Sequence, residues 1–233
     1  MDVLLDGLAE AARLLVTGDE DTWAVTALTL RVSLTATAVA LLVGLPLGAA
    51  VALAEFPGRR LVLAVANTGL GLPPVVVGLV VTIALWRSGP FGALGLLYTP
   101  TAMIVAQAAI ATPIAVALVA AAVAQVDPDF LVQMQALGAT RARALAALVV
   151  EARLPLLAAA MAAFGAVVSE VGAAQMVGGN IAGQTRVLTT AAVLATGRGE
   201  FALAVAFGLV LLLIAFGVNL ALTLAQTRPV RVR

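Results

Sequence analysis

Residues 154–186 read LPLLAAAMAAFGAVVSEVGAAQMVGGNIAGQTR. From Leu154 to Thr185 a single ionisable side chain interrupts the run, Glu170. The part before GGN, 154–176, reaches the roughly 20 apolar residues that a helix needs to cross about 30 Å of hydrocarbon. The Gly/Asn-rich break that follows ends the helical pattern. A carboxylate in such a setting is a functional candidate by default, because an unpaired charge in hydrocarbon is costly. The fold question is therefore whether the rest of the chain is also built for a bilayer.

It is. Val32–Ala54, Leu61–Trp86 and Phe201–Thr227 are free of charged residues, and so is Ser88–Val126, whose Gly/Pro-rich start SGPFGALGLLYTP reads as a loop. The expected spans are 32–54, 61–86, 101–126, 154–176 and 201–227, in one all-α domain covering 1–233. The hydrophobic fraction is 63% and the mean hydropathy +1.13, against about 45–50% apolar usage in soluble domains. Cysteine and histidine are absent and every cation is arginine. Thiol chemistry, Cys/His zinc sites and histidine general bases are thereby excluded. The formal charge of +1 gives no bulk attraction to nucleic acid. The acidic opening MDVLLDGLAEAARLL lacks the basic n-region of a cleaved secretory signal.

Five spans place the termini on opposite sides. Arg59, Arg60, Arg141, Arg143, Arg153, Arg228, Arg231 and Arg233 fall on one face. The other carries Arg13, Arg31, Arg87, Arg186 and Arg198, with Asp2, Asp6, Glu10, Asp19, Glu20, Asp21 and Glu200. The positive-inside bias puts the N-terminus outside and the C-terminus in the cytoplasm. Residues 3–15 form an amphipathic helix with Leu4, Leu5, Leu8, Ala11, Ala12 and Leu15 on one stripe. It either lies along the outer interface or packs on the bundle.

The long inner loop, 127–153, has Asp127 as N-cap, Pro128 at the first helical position and Asp129 favouring the helix dipole. Gly138 permits a turn, after which Thr140 caps a second helix. Two readings stand: an arginine-rich connector, or a docking element presenting Phe130, Leu131, Met134 and Leu137 to a partner's cleft. QALGAT (135–140) in this helix–glycine–helix setting resembles the cytoplasmic coupling loop of ATP-binding-cassette importer permeases. That family places Glu-Ala-Ala ahead of the glycine; here Val132, Gln133 and Met134 occupy the triplet and Gly138 alone matches. GLPPVVVGL (71–79) with RSGPFGALG (87–95) is similar to molybdate- and tungstate-type permeases. SEVGAAQMVGGNIAGQTRVLTTA (169–191) resembles oxyanion permeases, its GGNIAGQTRVLTTA form closest to the tungstate branch. The resemblance runs in order over about residues 23–227.

The resemblance implies a type I importer permease in a multi-pass cell (inner) membrane, working as a homodimer. Two cytosolic ATPases would bind ATP and Mg, with no cofactor in this chain, and an extracytoplasmic binding protein would deliver the oxyanion. Tungstate leads, with molybdate or sulfate as alternatives. The coupling residues would be Phe130, Met134, Ala136, Leu137, Gly138, Ala139 and Arg141. Pathway candidates are Pro73, Pro74, Thr185, Arg186 and Thr189. Pro73 and Pro74 break the helical ladder in mid-run, as a packing kink or as a broken helix lining the pathway. Asn67 is read as bonding a neighbouring helix. Thr185, Arg186, Thr189 and Thr190, near a helix expected to start at Thr185, supply anion donors; a surface or structural Arg186 is the alternative. GGNIAG lacks a P-loop ending and is not read as a nucleotide site.

Glu170 in an anion path would repel its cargo by about 4 kcal/mol at 4 Å with an effective dielectric of 20. It is therefore expected to brace the chain, by accepting N–H groups from the GGNIAG turn or by pairing with Arg186; a gating role is the alternative. A membrane enzyme would need converging polar groups. A secondary transporter would need ion-coupling groups and usually an internal repeat. Neither set is visible.

Overall fold

The computed structural model describes residues 2–226, so Arg228, Arg231, Arg233 and the end of the last expected span lie outside the described residues. Helix α1 (Asp2–Thr17) leads into α2 (Glu20–Leu53), a 34-residue helix. At 1.5 Å per residue α2 is about 51 Å long, well beyond the hydrocarbon thickness. The charge-free run from Val32 marks only its apolar part. The helix itself begins twelve residues earlier (from 32 to 20) because Asp19 caps it, accepting from Thr22 N at 2.8 Å and Thr22 Oγ1 at 2.6 Å. Glu20 and Asp21 then favour its N-terminal dipole. At the other end Arg59 caps the last turn, its Nε on Val51 O at 2.7 Å and its Nη2 on Ala52 O at 3.0 Å.

Helix α3 (Arg59–Thr68) and a 3-10 turn (Gly69–Gly71) precede α4 (Pro74–Leu85). A residue before proline is pushed out of the helical region, and two consecutive residues, Leu72 and Pro73, stand in that position. Both are extended, at φ −66°, ψ 123° and φ −63°, ψ 117°. The chain therefore turns by 104° between the two halves, a break rather than a kink. Pro74 opens α4 at the first turn, where a missing N–H costs nothing.

Helix α5 (Pro100–Ala124), capped by Thr99, is the axis of the subunit and is buried on most sides. Its principal partner is α2. Gly44 and Gly48, four apart, let the backbones meet: a Cβ on Gly44 would lie 2.5 Å from Ala115 Cβ, and one on Gly48 2.7 Å from Val119 Cβ. This is small-residue packing of the kind that joins helices where no hydrophobic drive separates protein from lipid.

Next along the chain come α6 (Phe130–Ala136) and α7 (Arg141–Glu151), then α8 (Arg153–Val168). The helix expected over 154–176 is interrupted: α8 ends at Val168 and α9 (Gly172–Gly178) restarts after Ser169–Val171. Between the expected spans 154–176 and 201–227 lies a further helix, α10 (Leu188–Gly197), whose first half is buried, and α11 (Phe201–Gln226) closes the described chain. Helices α2, α5 and α11 are long and apolar enough to cross a membrane alone, and two bent pairs, α3 with α4 and α7 with α8, raise the number to as many as five.

Helix α1 packs on α11 through a face that shares only Ala11 with the expected stripe. Ala11 and Leu14 are buried against Leu203, Ala206 and Leu209. A Cβ on Gly7 would meet Val205 Cγ1 at 2.4 Å, so close approach selects the small residues. Leu4, Leu5 and Leu8 stay exposed on the outer surface of the bundle.

Candidate functional site

Two helix breaks lie side by side. A Cβ on Gly78 of α4 would come within 2.7 Å of Ala173 Cα in α9, and one on Gly172 within 2.6 Å of Val75 Cγ2. The short halves of both broken helices therefore run in contact, with Leu72–Pro73 and Ser169–Val171 at their starts. Glu170 braces the second break. It is buried at 8% exposure, and its Oε1 accepts from Ala173 N at 2.8 Å, capping the restarted helix. Neither expected partner is the one found: the GGNIAG turn bonds to the neighbouring Gln184–Arg186 and Thr190, and Arg186 turns to Asn180. The carboxylate reaches three residues ahead because orphan N–H groups at a helix start are the nearest buried donors. The Glu170 carbonyl accepts from Thr189 Oγ1 at 2.9 Å, tying the break to α10.

The residues 178–190 form a self-bonded knot. Thr185, fully buried, donates to Gly178 O at 2.5 Å and accepts from Ile181 N at 3.0 Å. Ile181 O collects the N–H groups of Gln184, Thr185 and Arg186. Asn180 Nδ2 donates to Thr190 O at 3.4 Å, and its Oδ1 accepts from Arg186 Nε at 3.3 Å. Thr190 Oγ1 accepts from Val187 N at 3.1 Å. The helix expected from Thr185 starts three residues later, at Leu188, because the turn absorbs Thr185 and Arg186. Leu188 N donates to Thr29 Oγ1 of α2 at 2.9 Å, 159 residues away in sequence. The hydroxyl protons of Thr185 and Thr189 thus go to backbone carbonyls within the knot and the break.

Sequence reasoning missed Thr29, Asn180 and Tyr98. Asn180 had a signal, since an asparagine after Gly-Gly suits a left-handed turn; it adopts φ 51°. Tyr98, at φ 63°, donates its N–H to Val177 O at 2.9 Å and lays its ring against Gly179. Nothing local marks Tyr98 or Thr29, whose roles are tertiary.

Above the knot is a cavity of about 580 Å³ between α1, the start of α2, α10 and the start of α11. Arg13, Arg31, Arg186 and Arg198 line it, with Glu10, Asp19, Asp21 and Glu200. The Glu10–Arg13 bridge is the one ion pair within 4 Å among the described residues. The hydrogen bond from Arg13 holds the Glu10 carboxyl below the usual range. Hydrogen bonds from the Thr22 side chain and backbone do the same for Asp19. Among the described residues no three acidic side chains gather as a metal site would require.

On the opposite side, α6 ends in a full Schellman turn: Ala139 N reaches Met134 O at 3.0 Å and Gly138 N reaches Gln135 O at 2.9 Å. Gly138 adopts φ +87°. Thr140 caps α7 through Arg143 N at 3.4 Å. Asp127 does not cap α6 directly. Its Oδ1 accepts from Asp129 N at 2.8 Å, so Pro128 sits in a turn and the helix starts at Phe130. The expected apolar knob divides. Phe130 and Leu131 pack inward on Val119, Val123, Leu148 and Ala159, and Met134 is half-buried. Leu137, 83% exposed, and Val132 face out, alongside exposed Ala136 and Arg141; Ala139 is half-buried.

Over residues 44–230 the chain matches the family described as binding-protein-dependent transport system inner membrane component. It is 38% identical over 219 residues to a tungstate uptake system permease protein, TupB, of Peptoclostridium acidaminophilum, covering 94% of this chain and 96% of that protein. A second TupB, from Campylobacter jejuni, is 36% identical over 94% of this chain and 92% of its own. A probable anion ABC transporter permease protein of Haloferax volcanii is 41% identical over 84% of this chain and 86% of its own. With broken apolar helices, an exposed glycine elbow and this match over most of its length, the chain belongs to the inner membrane components of binding-protein-dependent transport systems.

Proposed function

We propose that this chain is the permease subunit of an ATP-binding-cassette importer for tungstate. The observation that carries the reading is the end-to-end similarity to two tungstate uptake permeases, each over 94% of this chain. Molybdate is the alternative cargo. Permeases of such systems work in general with an ATPase and a binding protein. Here the ATPase, holding ATP and Mg, docks on the exposed face of α6–α7 around Gly138, with Ala136, Leu137, Ala139 and Arg141 in contact. Phe130 and Met134 connect that face to the bundle, so a push on the elbow is transmitted as a rigid-body motion. Two copies form a homodimer with the pathway at their interface, in keeping with the small number of spans in each.

The paired breaks at Pro73–Pro74 and Glu170 face that pathway. Irregular backbone is tolerated at membrane depth where it lines protein or a water-filled cavity. Thr189 and Thr185 hold the outer knot rigid, and Arg186 presents charge to the anion. The N-terminus lies outside and the C-terminus in the cytoplasm, as the arginine distribution favours. The test is uptake of tungstate by cells expressing the permease with its ATPase and binding protein, in competition with molybdate and sulfate. Saturable, ATPase-dependent tungstate accumulation is expected. Molybdate outcompeting tungstate at equal concentration would reassign the cargo, and uptake of neither would overturn the reading.

A further inference from the structure

We infer that the outer cavity contains, within each subunit, a site for a tetrahedral oxyanion built by Arg31, Arg186 and the turn at Ala182–Gly183. The inference rests on the oxyanion-import reading and adds to Arg186 two partners, Arg31 and the Ala182–Gly183 backbone, in one cavity. Four observations place the donors together. Arg31 and Arg186 both line the same cavity. The hydrogen bond from Leu188 N to Thr29 Oγ1 joins the two backbones two residues from each arginine. Arg186 is tethered through Nε to Asn180, which leaves its terminal amino groups for a ligand. Ala182 and Gly183 are exposed and also line the cavity, and their N–H groups have no partner in the turn that binds Gln184, Thr185 and Arg186 to Ile181 O.

The acids of the cavity stand elsewhere. Asp21 is ten residues from Arg31 on the same helix, about 15 Å along its axis at 1.5 Å per residue. Asp19 is farther and is spent on Thr22. Glu10 is paired with Arg13. Glu200 lies beyond the far end of α10, a helix about 15 Å long, beside Arg198. The end holding Arg31 and Arg186 therefore carries two cations, with no ion pair within 4 Å to either among the described residues. A planar guanidinium with free terminal N–H groups is matched to a dianion with several acceptor oxygens. Such a site would hold the anion at the outer mouth before it reaches the pathway.

The test is equilibrium dialysis of inorganic tungstate against the purified permease–ATPase complex in nanodiscs, without binding protein and at low ionic strength. Arg31→Gln and Arg186→Gln should each weaken binding about ten-fold or more, while Arg198→Gln should stay within about two-fold because it sits at the opposite end. Arg31 has no hydrogen-bond partner, so its substitution leaves the fold intact and keeps the test decisive if Arg186→Gln disturbs the knot. Wild-type affinity in Arg31→Gln, or no tungstate bound by the wild type, overturns the site. Binding kept in neutral-lipid discs but lost in discs with anionic phospholipid would assign the site to a headgroup phosphate and also overturn it. Cells that import tungstate while Arg31→Gln binds it unchanged would sink this inference and leave the import function standing. Arginine-dependent binding without import would do the reverse.

Discussion

Replacing Glu170 by glutamine and by alanine separates a brace from a working charge. Oε1 lies 2.8 Å from Ala173 N and the residue is 8% exposed, so the bond is made away from water. A hydrogen bond to a charged group contributes about 1.5–3 kcal/mol and a neutral one about 0.5–1.5. Glutamine keeps a carbonyl acceptor of the same reach. It loses about 1 kcal/mol of bond strength, offset by removal of a carboxylate from an apolar setting. Glu170→Gln should thus change stability by about 1 kcal/mol at most. Alanine leaves the Ala173 N–H buried without an acceptor, at a cost of about 1–3 kcal/mol. For a chain of this size that lowers the melting temperature by roughly 2–4 °C per kcal/mol. The assay pairs thermal melting of the detergent-purified protein, followed by size-exclusion chromatography, with tungstate uptake. Transport should survive in Glu170→Gln and fall in Glu170→Ala in step with stability. Abolished transport in Glu170→Gln with unchanged melting and assembly would refute the brace and make the charge part of the cycle.

Gly138→Val should cost about 1–2 kcal/mol locally, because φ +87° is a left-handed conformation; space is open around it, so only the elbow is strained. Co-purified ATPase should drop while the bundle melts unchanged, and full co-purification with normal stimulated hydrolysis would contradict the docking role. Gly48→Leu forces a side chain onto Val119 and the Val116 carbonyl at 2.7–2.8 Å, and should destabilise the α2–α5 pair by about 1–3 kcal/mol; unaltered melting would show the helices free to separate. Asp19 has its carboxyl held below the usual range by Thr22. A depressed folded-state value means stability present above the unfolded value and lost as pH falls through the folded one. The protection factors of the amides in the first turn of α2, measured against the intrinsic exchange rate at each pH, should therefore fall in acid below the ordinary aspartate range, and Asp19→Asn should remove that dependence; an unchanged pH profile in the variant would discount the cap.

Hydropathy alone carried the membrane class, because charge-free runs of the required length have no other stable home. Pro73 and Pro74 marked an interruption of the helix, since each proline restricts the residue before it; whether it was a kink or a break was decided by the structure, which turns the chain by 104° there. Gly138 was legible for the same reason: a left-handed turn between two helices is a local demand on the backbone. The start of α2 at Glu20 was misplaced because absence of charge reports where lipid is, whereas helix ends are set by caps such as Asp19. The break before α9 escaped notice since Ser169–Val171 contains no proline or glycine to announce it.

What the chain determines by itself, then, is where it can be apolar and where its backbone cannot continue as helix. The tertiary structure decides who answers the polar groups left over. Thr29 meets Leu188 across 159 residues, Glu170 turns to Ala173 and away from Arg186, and α1 packs on α11 through Gly7, Ala11 and Leu14 while Leu4, Leu5 and Leu8 stay exposed. Those choices depend on close approach and on which buried donor lies nearest in space. Neither is a property of residues taken one stretch at a time.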